Sequence, residues 1–416
     1  MSITPIATVL DNTAPTSASQ PIRQEVQLIL PNTDDPAAVA MSRRGILTCK
    51  AGQAIARRVD IPGECPRDPD HILLAELRLG KHIAWDAKQG AFASDVSGRV
   101  LVRQNKIDIE EVLELTEDID SINGILTYGG QLVLRGNVLD LATIRTTGNT
   151  VVHGSIEAAE VHTEGDLHVM HGICGKERGH ASARGCITTR FVTNARATSG
   201  GNMIIANEII NSHLYCGGFL KVEHGTIVGG HAIAREGIQC HSAGSEAGVK
   251  TILEVGFPHE QYVAIEQRLT TAKSHRQKAQ DIRNAVGPLM ARAKTLTAAQ
   301  KEKATELLFA ADEAETQSNE AIAAVEQSRA SLLTCLGSKI ILSGMLYPGV
   351  TIRFPTAEAL ATVQIRGPVE VVLSSKDNES QIVVIDRCRN TRIPLQPVPS
   401  VGGAVDVARR ILSNQA

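Results

Sequence analysis

The chain has 416 residues, with 42 Lys and Arg against 45 Asp and Glu, a formal net charge of -3. That balance supplies no overall basic field for nucleic acid or an anionic membrane surface, and the length predicts two or three domains. Aromatic residues make up 3% while glycines number 35, so small and aliphatic side chains in a repetitive backbone are expected, not a bulky core that buries a ligand.

In chain order, residues 1–40 mix Thr, Ser, Pro, Asn and Asp and read as a flexible or loosely docked leader. No basic stretch followed by an apolar run begins the chain, and nowhere do about 18 apolar residues follow one another. The expectation is a cytoplasmic protein without a transmembrane segment. Residues 45–123 alternate apolar runs with turn signals (GILTCKAG, HILLAELRLGKHIAWD, SGRVLVRQNKIDI) and predict a small N-terminal α+β domain. Within it, Arg99 to Val102 and Lys106 to Ile109 flank a Gln104-Asn105 turn and predict a hairpin. The eight cysteines show no CxxC pairing, so neither a disulfide framework nor a zinc ribbon is indicated.

Residues 124–257 hold 22 of the 35 glycines. Gly130, Gly148, Gly165, Gly185, Gly201, Gly218 and Gly237 recur at steps of 16 to 20 residues. Aligned on them, an apolar or small residue stands four positions earlier: Ile144, Val161, Ala181, Ala197, Leu214 and Ile233. A second column follows two positions after, with Leu132, Leu167, Ile187, Met203 and Leu220, interrupted by Thr150 and continued by Ile238 one position after Gly237. A third lies four after: Leu134, Val152, Val169, Ile205 and Val222. Positions two apart share one face of a strand. A unit of this length, with two or three very short strands, buries its apolar side only by stacking on its neighbours. The prediction is mainly β: a right-handed parallel β-helix, since no period of six supports the left-handed hexapeptide form.

From residue 258 the pattern turns helical and stays so to 337. Ala304, Leu307, Ala311, Ala314, Ser318, Ala321, Val325, Ser328, Leu332 and Cys335 alternate steps of three and four, the seam of a coiled coil. Tyr262, Ile265, Leu269, Ala272, Ala279, Ile282 and Val286 form a partner stripe that ends at a Gly287-Pro288 break. Thr297 with Gln300 predicts a capping box at the start of the second helix. An inserted antiparallel coiled-coil hairpin follows from this arrangement. Residues 338–390 return to strand patterns that close the β-helix, and 391–416 read as a tail with a short helix near Val405 to Leu412.

The blocks TGNTVVHGSI, EGDLHVMHGI, RFVTNARATSGGNMIIANEIINSHLYCGG, GTIVGGHAIAREGI and GSEAGVKTILEVG, then the helical hairpin, then MLYPGVTIRF, resemble in content and order the flagellar assembly protein A family. The resemblance spans about Gly124 to Arg387. It implies a right-handed β-helix with a coiled-coil insertion, a role in flagellar or cell-pole assembly through protein contacts, and no established catalytic activity.

Candidate chemistry is sparse. Nine of the 13 histidines lie between His153 and His241, and His153, His171 and His224 each precede a corner glycine. Stacked on adjacent coils, His153 and His171 would sit about 4.8 Å apart, close enough to share a metal or form a charge pair. Without a Cys or carboxylate at the same corner, a solvent-facing ladder is the preferred reading. Asp140, Glu157, Glu164, Asp166, Glu208 and Glu223 scatter over different template positions and read as solvated turns, not a catalytic pair. Gly200-Gly201, Gly217-Gly218 and Gly229-Gly230 lack GxxxxGK[ST], and Ser245 lacks GxSxG. The ten acidic and ten basic residues between Pro258 and Gly337 read as solvation of the helices. No catalytic, cofactor-binding or metal residue is assigned, and no cofactor. The expected partners are proteins, met through the hairpin or the N-terminal domain, with a homo-oligomer left open. The leading expectation is a non-enzymatic scaffold or assembly factor acting through protein–protein contacts, and two rivals stand beside it: a β-helix enzyme acting on carbohydrate or acyl substrates, and a self-assembling cytoskeletal element.

Overall fold

The computed structural model describes residues 22–30, 42, 46–62, 71–103, 105–121, 125–256, 259–291, 297–334, 337–376 and 379–398. The chain divides into two compact units, Met1–Ile205 and Ala206–Ala416.

The first unit opens with two small sheets. One has the strand order His71–Leu73, Ile22–Leu28, Ala54–Pro62, Ala91–Ser94, Ile83–Asp86; the other orders Leu47–Cys49, Gly98–Arg103, Lys106–Glu110, Arg78–Leu79. Val26, Ile55, Phe92, Val100, Ile107 and Ile109 belong to one core cluster, with Trp85 edge-on to Phe92 at 5.1 Å. Two expectations change here. The described part of the leader contributes a strand, because Val26 is buried against the Ala54–Pro62 strand in antiparallel register. Residues 46–121 form strands and turns among those described, with no helix: the apolar run around Leu74, Leu77 and Leu79 packs onto the shared core from short strands and a turn. The hairpin pairs as expected, Val100 opposite Ile109 and Val102 opposite Ile107.

Parallel coils follow. Leu126, Ile144, Val161, Ala181 and Ala197 stand in successive register; so do Leu132, Thr150, Leu167 and Ile187; so do Leu134, Val152, Val169 and Thr189. Each is buried. The sequence columns therefore stack inward, and Thr189 fills the third column where no apolar residue marked it. Thr150, the polar interruption, keeps its hydroxyl satisfied at 2.6 Å from Thr146 Oγ1, which removes most of the cost of burying it. A fourth column, Ile119, Val138, Ile156, Ile173 and Val192, rests on single bridges and on the two-residue pairing of Ile173–Cys174 with Val192 and Thr193, and gives each coil a third side.

In the second unit Leu214, Ala232, Leu253 and Ile352 align, as do Leu220, Ile238 and Ile340. Ile233 was expected inside; the structure turns it outward beside Tyr215 and buries Ala232 instead. This coil steps by 18 residues throughout, which sets Gly237 opposite Phe219 and not opposite Gly218, so a count of four back from Gly237 lands one residue past the inward position. Val222 is buried at 1% exposure, as is Ile205, the last residue of the first unit, at 0%.

Helices α1 (His259–Ala291) and α2 (Ala298–Thr334) separate strand Thr251–Val255 from strand Lys339–Leu342. Burial recurs at every seventh residue: Ile265, Ala272, Ala279 and Val286 on α1, and Ala304, Ala311, Ser318 and Val325 on α2. Ser318 Oγ donates to the Ala272 carbonyl at 2.9 Å, and Arg283 pairs with Asp312 at 2.7 Å and with Glu315; contact positions thus fall on one helix as they rise on the other. Thr297 and Gln300 exchange the two bonds of the capping box, at 3.0 and 3.4 Å. Two details differ from the sequence reading. Leu307 is 40% exposed and Leu308 is half-buried, because from Ala304 the inward step is four and not three. The helix also runs through Gly287-Pro288 to Ala291, since a proline in the final turn removes one backbone donor and leaves the earlier bonds intact.

After the helices Lys339–Leu342 rejoins the coil in parallel register, Gly237 opposite Lys339 and Cys240 opposite Leu342. The chain then reverses: Val369–Lys376 lies antiparallel on Lys339–Leu342, and Ala357–Leu360 on Val350–Phe354. An antiparallel layer over the last coil covers an edge that would otherwise template pairing with another chain. Residues 391–397, expected in a tail, belong to this layer as Thr391–Pro394 and Gln396–Pro397. The expected helix near 405 lies outside the described residues.

Candidate functional site

Coil register decides what the corner residues can do. Thr150 pairs with Leu167 and Val152 with Val169, a step of 17 residues, whereas His153 and His171 are 18 apart. His171 therefore donates its backbone N–H to Gly154 O and stands one residue out of line with His153. The expected vertical histidine pair does not form. His224 N–H bonds Ala206 O and its side chain is exposed. Among the described residues no group of three or more His, Cys, Asp and Glu is placed to hold a metal ion.

The acidic residues have structural partners that spacing concealed. Asp166 Oδ1 accepts the backbone N–H of Cys186 at 2.7 Å, as Asp118 Oδ1 accepts that of Asn137 at 2.6 Å and Asn137 Oδ1 that of Ser155 at 2.9 Å. These side chains stitch one coil corner to the next, where glycine leaves room: a Cβ on Gly148 would lie 2.8 Å from the Gly130 carbonyl. Asp140 and Glu157 come together on Lys176, at 2.9 and 2.7 Å. Lys176 holds the Asp140 carboxyl below its ordinary range, and Glu157, then Asp140, raises Lys176 in turn. Lys221 does the same for Glu223. Glu164 and Glu208 are exposed. Ser245 Oγ lies 3.5 Å from the Val249 amide, in a turn.

Two further groupings escaped the sequence reading. In the first unit a shallow cleft of about 330 Å³ is lined by Ser97, Glu111, Gly129, Gly130, Thr147 and Gly148, among others. At its edge His82, at φ 65°, lies between Asp95 Oδ1 at 3.0 Å and Glu111 Oε1 at 3.4 Å. In the second unit Glu254, Arg353 and Glu358 are neighbours across three strands. Glu254 Oε2 lies 2.7 Å from His231 Nε2, and Arg353 Nε 3.1 Å from Glu358 Oε1. Glu254 and Glu358 expose 2% and 3% of their side chains, so the cation between them offsets two buried negative charges. The available signal was a lone charge inside each apolar strand, ILEV and TIRF.

Stacked parallel strands with glycine corners and an inward apolar column on each side define a β-solenoid protein, here of about 8 turns with two helices. Residues 111–379, more than half of the chain, match the family model of the Flagellar Assembly Protein A beta solenoid domain, and the chain belongs to that family. No curated protein and no solved structure gives a match. Among the described residues no helix is long and apolar enough to cross a membrane.

Proposed function

We propose that this protein is a non-enzymatic scaffold in flagellar assembly, acting at or near the cell pole from the cytoplasmic side through protein contacts. In this reading the solenoid is right-handed and rigid, α1 and α2 form an antiparallel coiled-coil arm, and the N-terminal sheets form a regulatory module. The family supports the flagellar setting. The observation that carries the mechanism is the uninterrupted register around the helices: Gly237 to Cys240 pair with Lys339 to Leu342 although α1 and α2 intervene in sequence. The helices are an excursion from a coil that closes without them, so their retention has to be explained by something they reach.

Deletion of residues 258–337, joining Phe257 to Ser338 through a short Gly-Ser loop, tests this. The solenoid is expected to stay folded, and the protein to lose complementation of a gene-deleted strain scored for flagellation and motility. Asp140→Asn, Asp166→Asn, Glu208→Gln and Glu223→Gln are expected to complement, Asp166→Asn because the amide oxygen still accepts the Cys186 N–H. Full rescue by the armless protein, with loss of rescue by one amide variant, would overturn the scaffold in favour of a chemical site. A deletion strain with normal motility would remove the flagellar role.

A further inference from the structure

The arm presents two unlike outward faces. With Ala304, Ala311, Ser318 and Val325 buried, residues two before, two after and five after each of these point away from the seam, because the helix turns about 100° per residue. On α2 those positions include Glu302, Glu306, Phe309, Glu313 and Glu320, all exposed, with Thr316, Ala323 and Gln327 exposed toward the C-terminal end. Phe309 exposes 70% of its surface, the largest fraction of any large apolar side chain among the described residues, whereas Phe92 and Phe354 are buried. An aromatic ring held in water and bracketed by carboxylates contributes nothing to the helix pair.

The charge is equally one-sided. Helix α2 carries seven carboxylates against three bases, whereas α1 carries three against five. Asp312 and Glu315 of α2 are paired with Arg283 across the seam; the four glutamates around Phe309 lie on the opposite side of the helix. The corresponding outward stripe of α1 reads Gln267, Thr270, Ser274, Gln277, Asp281 and Asn284, exposed and polar throughout. On that stripe a second copy would find neither an apolar pocket for Phe309 nor bases for the glutamates, since the exposed Arg268, Lys273, Arg276 and Lys278 of α1 lie on its flanks. Charge complementarity instead selects a different protein.

We propose that the outward face of α2, centred on Phe309 and edged by Glu302, Glu306, Glu313 and Glu320, is the docking surface of the arm for a partner protein with an apolar pocket rimmed by Lys or Arg. Helix-in-groove recognition of this kind combines a buried aromatic anchor with steering charges. The proposal rests on the scaffold reading and specifies where on the arm it acts.

The test uses the full chain with a photo-crosslinking residue at position 309, or at Ser274 as a control, expressed in the gene-deleted strain. The adduct formed at 309 is identified, and that partner is purified. Its affinity is then measured for the wild type, Phe309→Ala, the double variant Glu306→Lys with Glu313→Lys, and Ser274→Ala, with circular dichroism confirming unchanged helicity. The expected result is weakening of about 10- to 100-fold for Phe309→Ala, about 10-fold for the double reversal with a reduced salt dependence, and no change for Ser274→Ala. Binding of Phe309→Ala within twofold of wild type, an adduct only with a second copy of this chain, or no adduct at 309 would each overturn it. If the armless protein fails to complement while Phe309→Ala complements fully, this docking surface falls and the scaffold reading stands; rescue by the armless protein removes both.

Discussion

Tyr128 offers a quantitative test of how the first coil is anchored. Its side chain is 2% exposed, in a protein whose interior is otherwise nearly free of aromatics. The ring lies against Gly130, and the hydroxyl donates to the carbonyls of Glu110 and Glu111 at 3.0 and 3.1 Å, where the N-terminal hairpin passes into the first coil. Tyr128→Phe removes these bonds and little volume. Since the Glu111 carbonyl still accepts the Gln131 N–H, the expected loss is about 1 to 2 kcal/mol. Tyr128→Ala also opens a cavity at the mouth of the column, adding about 3 to 5 kcal/mol. At about 2 to 4 °C per kcal/mol for a unit of this size, the melting midpoint should fall by roughly 4 °C and roughly 15 °C respectively. Circular dichroism melts of the full chain give the midpoints, and hydrogen exchange at Leu113 and Leu132 should show the loss concentrated in the first coils. A Tyr128→Ala protein melting within about 2 °C of wild type would refute the anchoring role, because truncating a buried ring cannot be that cheap.

Three further outcomes follow from the packing. Ala311→Leu should overpack the α1–α2 seam, where Ala311 is fully buried, and cost about 1 to 3 kcal/mol; unchanged helical melting would place that residue off the seam. Burial alone would raise Glu370, but hydrogen bonds from Arg387 and Lys339 outweigh it and hold the carboxyl below its ordinary 4.5. A depressed folded-state value stabilises fully above that ordinary range and is lost as pH falls through the folded value. Glu370→Gln should therefore destabilise by on the order of 1 kcal/mol at pH 7 and by nothing at pH 2; a difference constant across that range in urea titrations would contradict the linkage. Burial pushes the Cys240 thiol up to about 12, so at pH 8 alkylation mapped by mass spectrometry should label exposed Cys388 and spare Cys240 until denaturant is added.

Much of the solenoid was legible because its code is local and repeated. Every coil must send a small or aliphatic residue inward at the same offsets from a glycine corner, so Leu134, Val152 and Val169 declare their common column without knowledge of any contact. The capping box at Thr297 was legible for the same reason: both partners lie within one turn. Quantities that depend on counting across a corner were not. One residue separates His153 from alignment with His171 and exchanges Ile233 for Ala232, because the coils step by 17 and 18 residues there while the histidines are 18 and the glycines Gly218 and Gly237 are 19 apart. Likewise, Leu307 and Leu308 satisfy the helical period equally well, and only the neighbouring helix chooses between them. The Glu254–Arg353–Glu358 chain joins strands about 100 residues apart in sequence, on either side of the helical insertion. Residues that meet only because coils stack carry no trace of one another in their own neighbourhoods; the sequence determined the repeat, and the tertiary structure decided its phase and partners.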